Sequence, residues 1–369
     1  MDDELQSILV TSNGERAFRN ESSILVKLPP GRAVLSTARV NGGYREDLEA
    51  VFNNKPSHHA TKTHELEGGS IEAYLRITAE RLGVDPEKTA GIMTAARMKH
   101  AAIVTRSFRG VEVTAIITGG IEVNGGRAGD PASYYQESGK IERLGTINTI
   151  LVIGAHLPPP TMVRAVITAA EGKTVVLQQL MAPSRYSSGI ATGSGTDGII
   201  VITDTTHGIT LTDAGKHSKL GELIGQCIIE ATTETLKRQS DLTPLTQRDV
   251  MVRLDRFSVK EEDIWRRSCV MAGENRRPGF TASLREISRE PALVGATAAV
   301  LHIHDEISWG LVPDTAGRNA AIKILLSFPP IMGTERFDEL VVILSAEENV
   351  LENLLKTIAW ITKQRALQN

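Results

Sequence analysis

The order of apolar runs along this 369-residue chain predicts an α/β fold of the α+β-like kind: a mixed β-sheet with packed helices, followed by a smaller C-terminal domain that is α/β or mainly helical. Three observations carry this reading. Strand-like and helix-like runs alternate through the first part of the chain. Hairpin signals occur among them, which a purely parallel sheet would lack. Near residue 243 the pattern shifts to clustered charge and longer apolar segments. The length exceeds a typical single core, so the shift is placed as a boundary between domains 1–242 and 243–369.

The elements follow in order. Ser7–Thr11 reads as a strand meeting Asn13-Gly14, a type I′ hairpin signal, and Ser23–Val26 is a second strand ending at Pro29-Pro30-Gly31. Ala33–Thr37 is a short apolar strand running into Asn41-Gly42-Gly43. A helix starts at about Ser70, with Ile71, Tyr74, Leu75 and Leu82 at helical spacing before Gly83 stops it. Ala101–Ile117 reads as a hairpin around Phe108-Arg109-Gly110, and Thr146–Ile153 as a buried strand interrupted by Asn148. Three prolines at 158–160 close that strand, and Thr161 is placed to cap a helix carrying Val163, Val166, Ile167, Leu177 and Leu180. Gly172 inside this helix costs about 1 kcal/mol against alanine. Ile199–Thr203 is the next strand. A helix from about Lys219 to Gln239 follows, with Leu220, Leu223, Ile224, Cys227, Ile228, Ala231 and Leu236 as its apolar stripe. Beyond 243 come the charged stretch Arg248–Arg267, an apolar segment from Ala292 to Ile303, a strand-like Leu340–Leu344 and a closing helix from Glu347 to about Arg365.

Composition excludes several classes. A formal net charge of −3 offers no basic patch for nucleic acid. The start Met1-Asp2-Asp3-Glu4 is acidic where a secretory signal is basic, and no apolar run reaches membrane-spanning length, so a cytoplasmic protein is expected. Cys227 and Cys269 have neither metal-ligand nor redox spacing, and Cys227 reads as a small hydrophobe.

The chemistry-bearing residues gather in a few places. In Ala191-Thr192-Gly193-Ser194-Gly195-Thr196-Asp197-Gly198, the glycines let backbone approach a ligand and offer N–H groups. A phosphate-binding loop follows a strand and opens a helix through Gly-Lys-Ser/Thr; here a strand follows the glycines and Asp197 stands where the lysine would. The alternative is a tight turn entering a strand. Ser218 is an N-cap for the helix at Lys219, which puts Lys216, His217 and Lys219 at its positive end, where cations are disfavoured by about 0.3–1 kcal/mol each. A bound anion or oxyanion would explain them, as would solvated surface positions. Glu171 and Lys173, two apart on a helix, cannot face the same way, so at most one of them points to a site, and the sequence does not say which. Asn148 within an apolar strand requires hydrogen-bond partners, from backbone or from a ligand amide. His58, His59 and His64 with Glu65 form a weak metal-like cluster beside Lys55 and Lys62, and no metal site is expected there. His302 and His304 would share one face of a strand; His100 and His156 are isolated.

Leu35-Ser36-Thr37-Ala38 with Asn41-Gly42-Gly43, Gly145-Thr146-Ile147-Asn148, Glu171-Gly172-Lys173-Thr174, Ala191 to Asp197, and Lys216 to Gly225 stand in the order and approximate spacing of the adenosylcobinamide amidohydrolase (CbiZ) family. The chain resembles that family over roughly residues 30–240. Gly172 and Ser194 depart from its usual alanine and threonine, and the part after 243 resembles no family named from its residues. The resemblance implies hydrolysis of the amide joining aminopropanol to a corrin-ring propionate, giving adenosylcobyric acid. The implied substrates extend to cobamides with an unwanted nucleotide loop. The corrinoid is then the small-molecule partner and the substrate, with no required cofactor, no nucleic acid and no membrane; a homo-oligomer is left open.

Amide hydrolysis needs a nucleophile, an oxyanion site and a proton for the leaving amine. The residues suited to this are Asp197 with His217 as acid and base, Lys219 with the N–H groups of Gly193 and Gly195 for the oxyanion, and Thr196, or less well Ser36, as nucleophile. Asn41, Asn54 and Asn148 are suited to the peripheral amides, and Glu171 or Lys173 to the substrate. Two competing classes remain: a corrinoid-binding or sensing protein without chemistry, and a phosphate-using enzyme built on the glycine loop. The C-terminal part fits a dimerisation module, a partner-binding domain or a lid.

Overall fold

In the computed structural model, which describes residues 4–56, 63–132 and 146–368, alternating apolar positions of the first unit, Met1–Thr243, build two sheets. Its elements are β1 (Gln6–Val10), β2 (Arg16–Arg19), β3 (Ser23–Lys27), β4 (Arg32–Ser36), β5 (Gly43–Arg45), β6 (Ala50–Asn54), α1 (Ile71–Arg81), β7 (Thr89–Met93), β8 (Ala102–Phe108), β9 (Val111–Gly119), β10 (Gly125–Gly126), β11 (Ile147–Ile153), α2 (Pro159–Gln179), β12 (Gly193–Ser194), β13 (Gly198–Asp204) and α3 (Lys219–Ser240). Five strands lie in the order β1-β2-β3-β6-β7 and six in the order β5-β4-β13-β11-β9-β8, while β10 and β12 form a short ribbon. The pairs β6–β7 and β11–β13 are parallel.

Side-chain alternation along each strand decides the layering. Ile150 and Val152 of β11, with Ile116, Ile200 and Ile202, pack against Ile24, Val26 and Val51, so the two sheets meet face to face. Ile147, Leu151 and Ile153 point the other way, to Ala165 and Ala169 of α2 and Ile224, Cys227 and Ile228 of α3. Leu25, Ala50 and Phe52 pack under Leu75, Ala79 and Leu82 of α1. The result is a four-layer α–β–β–α sandwich, a mixed-sheet α/β unit as the element order requires. No helix among the described residues is long and apolar enough to cross a membrane.

Several local expectations are corrected. The β1–β2 loop is not type I′: only Gly14 has a positive φ (96°), and bonds from Gly14 N to Thr11 O and from Thr11 N to Glu15 O define a three-residue loop with a bulge. Thr161 does not cap α2; Pro158 holds the N-cap position without a side-chain bond, and Thr161 is buried inside the first turn. Gly172 leaves α2 unbroken because α3 crosses there: a Cβ would stand 3.2 Å from Ile228 Cγ2. Ser218 caps α3 as read, accepting from Gly221 N, and Ser70, read as the start of α1, proves to be its cap, accepting from Ala73 N.

The second unit, Pro244–Asn369, is helical throughout its regular elements: α4 (Val250–Leu254), α5 (Glu261–Cys269), α6 (Arg277–Ile287), α7 (Pro291–Ser308), α8 (Asp314–Leu325), α9 (Phe328–Ile331), α10 (Asp338–Ile343) and α11 (Val350–Gln368). Leu354, Leu355, Ile358 and Ile361 of α11 sit in its core with Ile264, Phe280, Leu284 and Leu293. Of Leu340–Leu344, read as a strand, Leu340–Ile343 belong to α10 and Leu344 is its extended C-cap, with Val342 on the solvent side; an apolar run this short carries no period that separates strand from helix. His302 and His304 lie on α7, not on a strand. They therefore diverge: His302 pairs with Glu306 at 3.3 Å, and His304 packs edge-on against Phe257.

Candidate active site

The site is built where the parallel strands β11 and β13 begin. Asp197, the last residue before β13, turns its carboxylate back into the glycine loop. Its Oδ1 accepts from Ile147 N (2.9 Å) and Ser194 Oγ (2.6 Å), and its Oδ2 accepts from Ser194 N (3.0 Å) and from Lys173 Nζ of α2. A carboxylate has about four acceptor sites, so all are filled. Gly193 is needed because a Cβ there would collide with Asp197 Oδ2 and stand 2.9 Å from Lys173 Nζ. The loop is tied to α2 again through Thr174 Oγ1, which donates to Thr192 O at 3.0 Å.

Asn148 anchors the floor. Its amide donates to Asn53 Oδ1 (2.8 Å) and Met93 O (2.7 Å), and its oxygen accepts from Gly198 N (3.0 Å) and Thr146 Oγ1 (3.2 Å). Asn53 in turn donates to Thr118 Oγ1 at 2.7 Å, so this polar chain crosses between the two sheets. The buried amide thus draws its partners from the protein.

Above this floor lies a cavity of about 260 Å³, lined by Thr37, Arg39, Met93, Thr146, Asn148 and the stretch Gly195–Gly198, with Ile71 and Leu75 of α1 supplying an apolar wall. Gly195 is exposed, with nothing within 4 Å of where a Cβ would stand. Arg39 brings a half-exposed cation to the wall, 3.6 Å from Glu72.

The remaining sequence-derived candidates are distributed differently. Of the two residues on α2, Lys173 faces the site, while Glu171 pairs with Lys216 at 2.8 Å on the surface. Thr196 lines the cavity, and its carbonyl accepts from Thr146 Oγ1. Asn41 has φ 53° and spends its amide on Pro86 O and Thr89 O, which sets the turn into β7. Asn54 is buried between Ser23 Oγ, Ser22 O and the Tyr74 hydroxyl. Neither offers its amide to a ligand. Ser36 Oγ is buried without a partner among the described residues, and Ser36 does not line the cavity.

The expected pairing of Asp197 with His217 is not formed. His217 is exposed just before the cap of α3, and no bond joins it to the Asp197 carboxylate. Lys219 is farther still: it pairs with Glu222 at 2.7 Å, lies 4.9 Å over the Phe108 ring, and lines a second cavity with Val111. Ile153 pairs with Val113, so the β8–β9 turn sits at the far end of β11. A seven-residue strand spans about 20 Å, which separates Lys219 from Asp197.

Of the histidine cluster, His58 and His59 lie outside the described residues, as does Gly145, and His64 and Glu65 are exposed. Among the described residues no group of three His, Cys, Asp or Glu is placed to hold a metal. Sequence reading missed Asn53, Ser194 as a partner of Asp197, and Arg39. Ser194 stood in the loop in plain view, whereas Asn53 and Arg39 reach the site only by tertiary packing.

Residues 7–244 match the family model described as adenosylcobinamide amidohydrolase. An uncharacterized protein, MJ1613, of Methanocaldococcus jannaschii is 30% identical over 233 residues, covering 60% of this chain and 88% of that protein. An adenosylcobinamide amidohydrolase of Methanosarcina mazei is 27% identical over 212 residues, covering 55% and 88%. The crystal structure of the PH0078 protein from Pyrococcus horikoshii aligns at 12% identity and a TM-score of 0.32, over 63% of this chain and 83% of that one. Through residues 7–244, which hold the whole of the cavity described above, the chain belongs to the adenosylcobinamide amidohydrolase family.

Proposed function

We propose that the chain hydrolyses the amide between aminopropanol and a corrin-ring propionate, converting adenosylcobinamide, or a related cobamide, to adenosylcobyric acid. The observation that carries this is convergence. Thr37, Thr146, Asn148 and Gly195–Asp197 come from three of the segments shared with the family and line one cavity, and Lys173, from a fourth, grips Asp197. A cavity of about 260 Å³ lies below the usual range of about 300–1,000 Å³ for a ligand enclosed whole. It suits the amide arm, with the corrin resting outside it.

In this reading the Gly195 N–H is the oxyanion donor, and Thr196, on the cavity side, supplies or positions the nucleophile. Asp197 is the acid and base without a histidine. To accept a proton it must release one of its four donors, and the Ser194 hydroxyl is the one that can rotate from donor to acceptor. Lys173 holds the carboxylate in place, and Asn41, Asn54 and Asn148 set the backbone around the cavity.

A second reading, corrinoid binding without chemistry, is favoured by that same saturated carboxylate. Mass analysis of products from the purified protein incubated with adenosylcobinamide separates the two. A new carboxylate with free aminopropanol supports hydrolysis; unchanged ligand that co-purifies with the protein supports binding. His217→Ala is expected to keep activity within about twofold. A hundredfold loss in a folded protein would return the histidine to the mechanism.

A further inference from the structure

The far end of the six-stranded sheet carries a cavity larger than the one at Asp197, about 460 Å³. It opens between the β8–β9 turn, the segment after β13 and the first turn of α3. Its walls are apolar: Phe108, Val111, Ile209, Leu211, Leu220 and Leu223. Phe108 is 41% exposed and Ile209 36%, so both present hydrocarbon to solvent at its mouth. The volume lies within the range of small-molecule sites.

The rim carries charges of both signs. Lys219 is matched by Glu222, and Asp213, without an ion pair among the described residues, is held by its own loop, Oδ1 accepting from Gly215 N at 2.7 Å. Arg109 forms no ion pair among the described residues, and its guanidinium lies 5.2 Å over the Phe108 ring. Its backbone is also unusual. Phe108 pairs with Val111 across a two-residue turn in which Arg109 has φ 47° and Gly110 φ 82°, where asparagine or glycine is the favoured first residue. A bulky cation is therefore held where the turn itself would prefer none, at the mouth of an apolar cavity.

We propose that this cavity is a second binding site, for a small amphipathic organic anion. The apolar body fills the space beneath Phe108, and a carboxylate, sulfonate or phosphate group meets Arg109. The site is independent of the Asp197 cavity, being a strand length away.

The test is equilibrium fluorescence titration of the full chain with two probes of similar shape, anionic anilinonaphthalenesulfonate and neutral N-phenylnaphthylamine. Arg109→Gly keeps the turn, since glycine suits that backbone. It should weaken the sulfonate at least about tenfold and the neutral probe by less than about threefold. Ile209→Trp, which fills the mouth, should weaken both at least about tenfold. The proposal is overturned if Arg109→Gly leaves the sulfonate affinity unchanged, or if Ile209→Trp changes neither probe.

Discussion

The pairing of Lys173 with Asp197 yields the sharpest quantitative prediction. In Asp197→Asn one carboxylate oxygen becomes an NH₂ group. With the NH₂ at Oδ2, Lys173 and Ser194 N both face a donor; with it at Oδ1, Ile147 N alone does, because the Ser194 hydroxyl rotates to accept. Charged hydrogen bonds contribute about 1.5–3 kcal/mol each. The two side chains are 15% and 18% exposed, so the lower end applies to each stranded donor and the cost is about 1.5–3 kcal/mol. Lys173→Met removes a single donor and leaves three, for about 1.5–2 kcal/mol. In the double variant the ammonium that has lost its counter-charge is gone, so the two costs should overlap by about 1–2 kcal/mol. Urea unfolding followed by far-UV circular dichroism measures this; tryptophan fluorescence does not serve, because Trp265, Trp309 and Trp360 all lie in the second unit. If Asp197 is also the acid and base, its asparagine variant should lose about 10²–10⁴ in turnover. Costs that add within about 0.5 kcal/mol would refute the coupling. An asparagine variant keeping more than about a tenth of wild-type turnover would refute the chemical role.

Asn148→Ala should cost at least about 3 kcal/mol, because it strands Met93 O, Gly198 N and Asn53 in a closed interior; a loss under about 1 kcal/mol would mean water replaces the amide. At the opposite end of the sandwich, Arg32 is buried between Glu15 and Asp204 (2.9 Å), and Arg32→Met should cost about 3–5 kcal/mol by leaving two carboxylates unpaired. Burial pushes the Asp204 carboxyl up, but hydrogen bonds from Thr206 and the Arg32 charge more than reverse this and hold it below the usual range. Its contribution is therefore present above about pH 4, the unfolded value, and is lost as pH falls through the lower folded value; removing the guanidinium raises the folded value toward the unfolded one, so urea midpoints between pH 2 and 7 should show a shallower acid limb in Arg32→Met. Burial pushes the Cys227 thiol up to about 12, so native protein should titrate with a thiol reagent at Cys269 alone, and rapid modification of both cysteines would contradict that burial.

Much of the local structure was legible in the residues. The helix start at Ser70, the serine cap at 218, the glycine stop at 83 and the alternation through Val111, Val113 and Ala115 each depend on neighbours a few positions away, and each formed as read. Short apolar runs were not legible. Leu340–Leu344 satisfies strand and helix alike, and packing in the second unit made Leu340–Ile343 helical. The Asn13-Gly14 turn failed for a related reason. The dipeptide suits type I′, but the ion network of Glu15 and Arg32 accompanies a three-residue loop in which the glycine alone has positive φ.

The candidate site divides along the same line. Sequence by itself determined that a glycine-rich turn with an aspartate precedes a buried strand, that an asparagine interrupts a neighbouring strand, and that Glu171 and Lys173 could not both face a site. These are statements about one segment at a time. Only the tertiary structure decided that Asp197 meets Lys173 rather than His217, and that Lys219 belongs to the other end of the sheet. The physical reason is that β11 and β13 run parallel. Residues before the strands and residues after them are then held about 20 Å apart, however close their motifs stand in the chain.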